Sequence, residues 1–147
     1  MGENVFLGEF KHSLDAKGRI IIPSKFRFSL GEEFVMTKGL DGCLFLFPMD
    51  EWKAFEEKLR SLPFANKDAR AFVRFFTAGA TESTIDKQGR TLIPPNLREH
   101  CEIEKDAVII GTPNRIEIWS EENWKDYVSD ENLSYENIAE QMEELGF

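Results

Sequence analysis

Two short runs in this chain set an aspartate four residues ahead of an arginine, Asp15-Ala16-Lys17-Gly18-Arg19 and Asp86-Lys87-Gln88-Gly89-Arg90. A guanidinium is a planar fork of donors that fits a carboxylate, a phosphate or the O6/N7 edge of guanine, so an arginine held on a stiff support can read a base. The flanking residue types supply such a support. Aspartate at the start of a turn accepts backbone N–H bonds, and glycine near its end takes the positive φ that a bulged hairpin loop requires. Asp15, Gly18, Asp86 and Gly89 are therefore expected to build two turns, with Arg19 and Arg90 at the start of each returning strand.

Lysines and arginines nearby would bind phosphate and set register without reading sequence. Lys17, Lys25 and Arg27 surround the first turn; Lys87 and Arg98 accompany the second, where Gln88, Pro95 and Asn96 stand in place of Lys17, Ser24 and Lys25. The first copy is thus the more basic surface. A plainer reading competes: an exposed aspartate and arginine across a turn often just pair with each other, at little energetic gain. For Arg90, contact with DNA and simple pairing with Asp86 both stand. The two aspartates are expected to orient the arginines, since a carboxylate repels phosphate.

Other chemistry is poorly supported. Two carboxylates with arginines can serve acid–base work, but no nucleophile, metal set or phosphate-binding glycine loop accompanies Asp15, Arg19, Asp86 and Arg90, so no enzyme is expected. His12 and His100 each lack a second ligand nearby. Cys43 and Cys101 sit singly among apolar neighbours, which suits buried reduced thiols and neither zinc nor a disulfide. The expectation is no metal, no cofactor and no small-molecule substrate.

The elements that carry the two runs come as a repeat. Leu14 to Arg27 (LDAKGRIIIPSKFR) aligns with Ile85 to Arg98 (IDKQGRTLIPPNLR) at an offset of 71 residues. Beyond it, Phe34 to Trp52 matches Ala107 to Trp124 after a small insertion. Each copy reads as a short strand, the turn, and a returning strand (Ile20 to Ile22, Thr91 to Ile93) stopped by proline, which cannot donate to a ladder but suits a helix's first turn. A second hairpin follows, with apolar runs Phe34 to Met36 and Leu44 to Phe47, then Val108 to Ile110 and Ile116 to Trp119, separated by Gly39, Asp41 and Gly42 or by Gly111, Pro113 and Asn114. Helices are expected from Asp50 and Ser120 as N-caps, turning Trp52 and Trp124 inward as packing residues. Ala65 to Phe76 reads as a linker helix with Lys67, Arg70 and Arg74 on one face and Phe72, Val73 and Phe76 largely opposite. The basic face is a solvated face, an interface or a set of phosphate contacts. A last helix, capped by Ser134, carries Ile138, Met142 and Leu145 as an apolar stripe that needs a cover. This divides the chain into 5–60, a first repeat with its trailing helix; 61–79, the linker; 80–128, the second repeat; and 129–147, an acidic helix.

A net charge of −9 seems hostile to nucleic acid, yet it is unevenly spread. Residues 1–100 hold 15 Lys and Arg against 14 Asp and Glu, whereas residues 101–147 hold 3 against 13. An acidic C-terminal third turned away from a duplex does not forbid a local basic surface. The N-terminal stretch MGENVFLGEFKHSLD shows no basic leader followed by an apolar run, and no segment approaches the roughly 18 apolar residues of a membrane span. A cytoplasmic protein without a membrane partner is expected.

Two D-x-x-x-R runs, each followed by three strand residues and proline, together with Lys38 to Leu44 (KGLDGCL) and Asp68 to Phe76 (DARAFVRFF), resemble the MraZ family over nearly the whole chain. That family lies within the AbrB/SpoVT group of swapped-hairpin barrels. The resemblance implies an α+β fold with a β-dominated core, two tandem repeats forming a pseudo-symmetric β-barrel with flanking and C-terminal helices. It also implies a nucleoid-associated transcriptional repressor of the bacterial division and cell-wall gene cluster, its own promoter included. Its implied partners are double-stranded DNA bearing short G-rich direct repeats and further copies of itself in a ring. AbrB-type barrels also occur in antitoxins, so an antitoxin-like interaction module is the alternative.

Overall fold

A computed structural model describes residues 6–147. Position 5, where the first repeat is set to begin, and residues 1–4 lie outside them. In chain order the first repeat contributes β1 (Glu9–Ser13), β2 (Arg19–Ile21), α1 (Ser24–Leu30), β3 (Glu33–Lys38), a short 3-10 turn (Leu40–Gly42), β4 (Leu44–Pro48) and α2 (Met49–Arg60). After the linker helix α3 (Lys67–Gly79) come β5 (Thr81–Thr84), β6 (Arg90–Leu92), α4 (Pro95–Cys101), β7 (Asp106–Thr112), β8 (Arg115–Ser120), α5 (Glu121–Val128) and α6 (Tyr135–Glu144). The chain is α+β with a β-rich core.

The strands are exchanged between the repeats. A six-stranded sheet runs β1-β7-β8-β4-β3-β5, and β2 pairs with β6 in a separate two-stranded ribbon. The first strand of repeat one thus lies on the second hairpin of repeat two (Glu9 opposite Ile110), and the first strand of repeat two on the second hairpin of repeat one (Glu33 opposite Thr84). The barrel expected from the sequence does not close: β1 and β5 are free edges of the large sheet. Proline explains part of this, because Pro23 and Pro94 cannot donate to a ladder and end β2 and β6 after three residues, too short to bridge those edges.

Side-chain alternation fills both faces of the sheet. Along β4, Leu44 and Leu46 enter one core while Phe45 and Phe47 enter the other, and β8 sends Ile116 and Ile118 to the first and Trp119 to the second. The first core is closed by Ile20 and Ile22 from the β2 segment, Ile93, Phe26 and Leu30 of α1, and Leu97 and Cys101 of α4. Leu59, Phe76, Trp52, Phe55, Val73 and Trp124 cover the second. Trp52 leans on Phe47, and Trp124 stands edge-on to Trp119, so both tryptophans pack as expected.

Several boundaries differ from the sequence expectation. Pro48, not Asp50, caps α2, and Asp50 falls in the first turn, because a proline's fixed φ already directs the chain into the helix. Ser120 does cap α5, accepting from the Asn123 N–H at 3.0 Å. The linker helix begins at Lys67 behind an Asn66 cap and runs on to Gly79. Ser134 caps α6. Phe72 stands 41% exposed rather than turned inward, and Val73 lies beside Arg70 and Arg74 in a groove between α2 and α3.

Candidate nucleic-acid interface

The two D-x-x-G-R turns are built alike. In the first, Asp15 Oδ1 accepts from the backbone N–H groups of Lys17 and Arg19, both at 2.9 Å, and Asp15 Oδ2 accepts from Arg19 Nε at 2.7 Å. In the second, Asp86 Oδ1 accepts from the N–H groups of Gln88 and Arg90, both at 2.9 Å, and Asp86 Oδ2 from Arg90 Nε at 2.9 Å. Backbone bonds close each loop: Asp15 N–H to Arg19 O with Gly18 N–H to Asp15 O, and Asp86 N–H to Arg90 O with Gly89 N–H to Asp86 O. Gly18 and Gly89 sit at φ of 82° and 80°, where a side chain would be strained. One carboxylate therefore rigidifies the turn and orients the arginine together.

The Arg19 backbone N–H, ahead of its guanidinium and the Lys17 N–H, holds the Asp15 carboxyl below the usual carboxylate range, partly offset by desolvation. Asp86 is lowered likewise, first by the Arg90 N–H. Each aspartate stays charged and keeps its partner neutralised on one side. The ion pair takes only Nε, and among the described residues neither Nη of Arg19 or Arg90 has a hydrogen-bond partner; the two side chains are 29% and 28% exposed. The pairing with aspartate and an outward-facing fork thus coexist.

The β2-β6 ribbon brings the turns together. Ile20 lies opposite Thr91, with Arg19 opposite Leu92 and Ile21 opposite Arg90. Ile20 and Thr91 are buried against the core, so alternation turns Arg19, Ile21, Arg90 and Leu92 to the outer face, where Ile21 is 41% and Leu92 51% exposed. Sequence reasoning missed Ile21 and Leu92. The signal was present, since residues two apart on a strand share a face, but only the ribbon pairing puts all four on one surface.

Lys17 and Lys87 are exposed in the turns that lead into this face, and Lys25 is exposed at the start of α1. Arg27 is not: it is half-buried, its Nε donates to Ile22 O at 2.8 Å, and its guanidinium lies over Gly89. Arg70 spends a donor on Phe64 O at 3.1 Å, while Lys67 and Arg74 are exposed on the linker helix. His100 meets Gly39 O at 3.2 Å. Both cysteines are buried and unpaired; burial pushes the Cys101 thiol up to about 12 and the Cys43 thiol further, which suits packing rather than reactivity. Among the described residues no three His, Cys, Asp or Glu side chains gather where they could hold a metal ion, and no helix is long and apolar enough to cross a membrane.

Comparison with known proteins agrees with this geometry in covering both turns. A family model described as "MraZ protein, putative antitoxin-like" matches twice, over residues 5–75 and 76–145, one turn in each match. A protein of Clostridium tetani carrying the name transcriptional regulator MraZ is 61% identical over 142 residues, 97% of this chain and 99% of its own length. Proteins of the same name from Acetivibrio thermocellus and Alkaliphilus metalliredigens are 61% and 58% identical over the same shares of both chains.

Proposed function

The chain belongs to the MraZ family, and from that premise we propose that it is a sequence-specific DNA-binding transcriptional regulator that reads DNA with the outer face of the β2-β6 ribbon. One observation carries the reading: two identically braced turns present Arg19 and Arg90 on a single surface with their terminal nitrogens unengaged among the described residues. Each fork suits the O6/N7 edge of a guanine, and a two-stranded ribbon has the width of a major groove. Ile21 and Leu92 between them suit thymine methyl groups. Lys17, Lys25 and Lys87 are the phosphate contacts of this scheme, and Asp15, Gly18, Asp86 and Gly89 its turn supports.

Family membership supports the finer parts of the proposal: two repeats related as a pseudo-symmetric unit, a ring of identical subunits, and repression of the division and cell-wall cluster through short G-rich direct repeats at its own promoter. Such a regulator works on the chromosome, in the cytoplasm. One subunit offers only three lysines and two arginines to DNA, a weak site on its own. Several subunits on several operator repeats would raise avidity by about 100- to 10,000-fold. The antitoxin-like wording of the family description supports a second reading, in which the acidic C-terminal third seats a small protein partner.

Footprinting the purified protein on the DNA upstream of its own gene tests the first reading. Protection of regularly spaced repeats is expected, and Arg19→Ala should reduce specific affinity about 10-fold or more, the worth of a bidentate base contact, with assembly size unchanged. Wild-type affinity in that variant would remove Arg19 from the site. A stable small partner that co-purifies while no DNA is protected would favour the second.

A further inference from the structure

Behind the two turns lies a reciprocal contact that neither repeat makes alone. Arg98, which closes the motif of repeat two, lays its guanidinium on Gly18 of repeat one: a Cβ added at Gly18 would come within 2.5 Å of Arg98 Nη1 and 2.7 Å of Cζ. Arg27, which closes the motif of repeat one, covers Gly89 of repeat two in the same way, with Nε 2.7 Å from where a Cβ would stand. These glycines precede the reader residues Arg19 and Arg90 by one position. Main-chain bonds run the same diagonal, from Ile22 N–H to Gly89 O at 2.8 Å and from Ile93 N–H to Gly18 O at 2.9 Å.

From this arrangement we propose that Arg27 and Arg98 are cross-repeat positioning residues: each sets the reader turn of the opposite repeat by packing its planar guanidinium on the turn's glycine. Neither forms an ion pair among the described residues, and each half-buried side chain lays its guanidinium against a glycine of the opposite turn. A Cβ at either position would collide with the guanidinium, so glycine is what leaves it room. The two clamps are unequal. Arg27 Nε is anchored on Ile22 O, whereas Arg98 Nε is buried with no hydrogen-bond partner among the described residues. The turn of repeat one, in the more basic setting, is therefore held by the less anchored arginine. A base-reading fork must be placed to within about 0.5 Å to be productive, so loosening a clamp should cost sequence discrimination in the other repeat while sparing general attraction to DNA.

The consequence for DNA rests on the reading proposed above; the clamp itself does not, and the test separates them. In the free full-length protein, nuclear Overhauser contacts between the Arg98 side chain and the Gly18 α protons should be present, and their absence in the wild type would overturn the clamp before any variant is made. Arg98→Met, similar in length but without the planar fork, should displace or broaden the backbone amide signals of Lys17, Gly18 and Arg19 while those of Lys87 to Arg90 stay put. Arg27→Met should do the converse, and Arg98→Lys, which restores charge but not planarity, should behave as Arg98→Met does. Unmoved Lys17 to Arg19 amides in Arg98→Met would refute the proposal. On operator DNA, Arg98→Met should lose about 10-fold in the ratio of specific to non-specific affinity with its salt slope unchanged. A parallel fall in both affinities with the slope reduced by about 1 would instead make Arg98 a phosphate contact. Moved amides in a protein whose wild type protects no DNA would keep the clamp and sink the DNA reading.

Discussion

Asp15 and Asp86 do two things with one carboxylate, and their chemistry ties the turns to pH. Because the folded turn lowers each carboxyl's pKa, ionisation and folding favour each other at neutral pH. A depressed carboxylate contributes its stability fully above the unfolded value, near 4, and loses it as pH falls through the lower folded value. The expected outcome is that wild-type stability exceeds that of the Asp15→Asn, Asp86→Asn variant by a constant margin from pH 8 to about pH 5, and that the margin shrinks below. Urea unfolding across pH 2 to 8 measures it. Parallel curves down to pH 2 would show that the carboxylate charge contributes nothing.

At the scale of elements, the three-residue strands β2 and β6 carry more than their length suggests. Their inner side holds Ile20 and Thr91, and Thr91 Oγ1 is buried without a partner among the described residues. Valine has nearly the same shape and no hydroxyl to desolvate. Thr91→Val should therefore stabilise the fold by about 1 kcal/mol, seen as a higher urea midpoint at unchanged slope, with DNA binding untouched. The outer side makes the opposite prediction. Ile21→Ser and Leu92→Ser alter side chains already in solvent, so melting should barely change while specific affinity falls several-fold. A drop in melting temperature with intact binding would assign both residues to packing or to a subunit contact. Much of this was legible beforehand: the turn, the returning strand and the proline stop follow from residue types within a few positions. The cap of α2 was misplaced because Pro48 and Asp50 both suit a helix start, and local chemistry alone does not choose between them.

Over the whole molecule, charge is partitioned rather than balanced. The C-terminal 47 residues carry 13 acidic against 3 basic side chains, while the ribbon's outer face carries Arg19 and Arg90, with Lys17 and Lys87 in the turns that lead into it. If the proposed lysines engage phosphates, the logarithm of affinity should fall linearly with the logarithm of salt, by about 0.9 per phosphate engaged. If a ring multiplies these contacts, the slope should drop to its single-subunit value when the assembly is diluted into monomers, and affinity should fall by about 100-fold or more. Titrations at several salt concentrations beside sedimentation at the same protein concentrations would reveal it. A slope indifferent to assembly state would mean that subunits bind one at a time.

The amino-acid order alone determined the repeat, the two turns, the arginines that leave them and the acidic end, since each depends on bonds or periodicities spanning a handful of residues. Only the tertiary structure decided that β1 and β5 cross to the other repeat, that the large sheet stays open, and that Ile21 and Leu92 share a face with the arginines. It also turned the Arg27 guanidinium onto Gly89 and set that of Arg98 against a turn eighty residues away. Those outcomes depend on which strand edges pair and which faces are buried, a competition settled between distant segments, for which a local stretch of sequence carries no record of the winner.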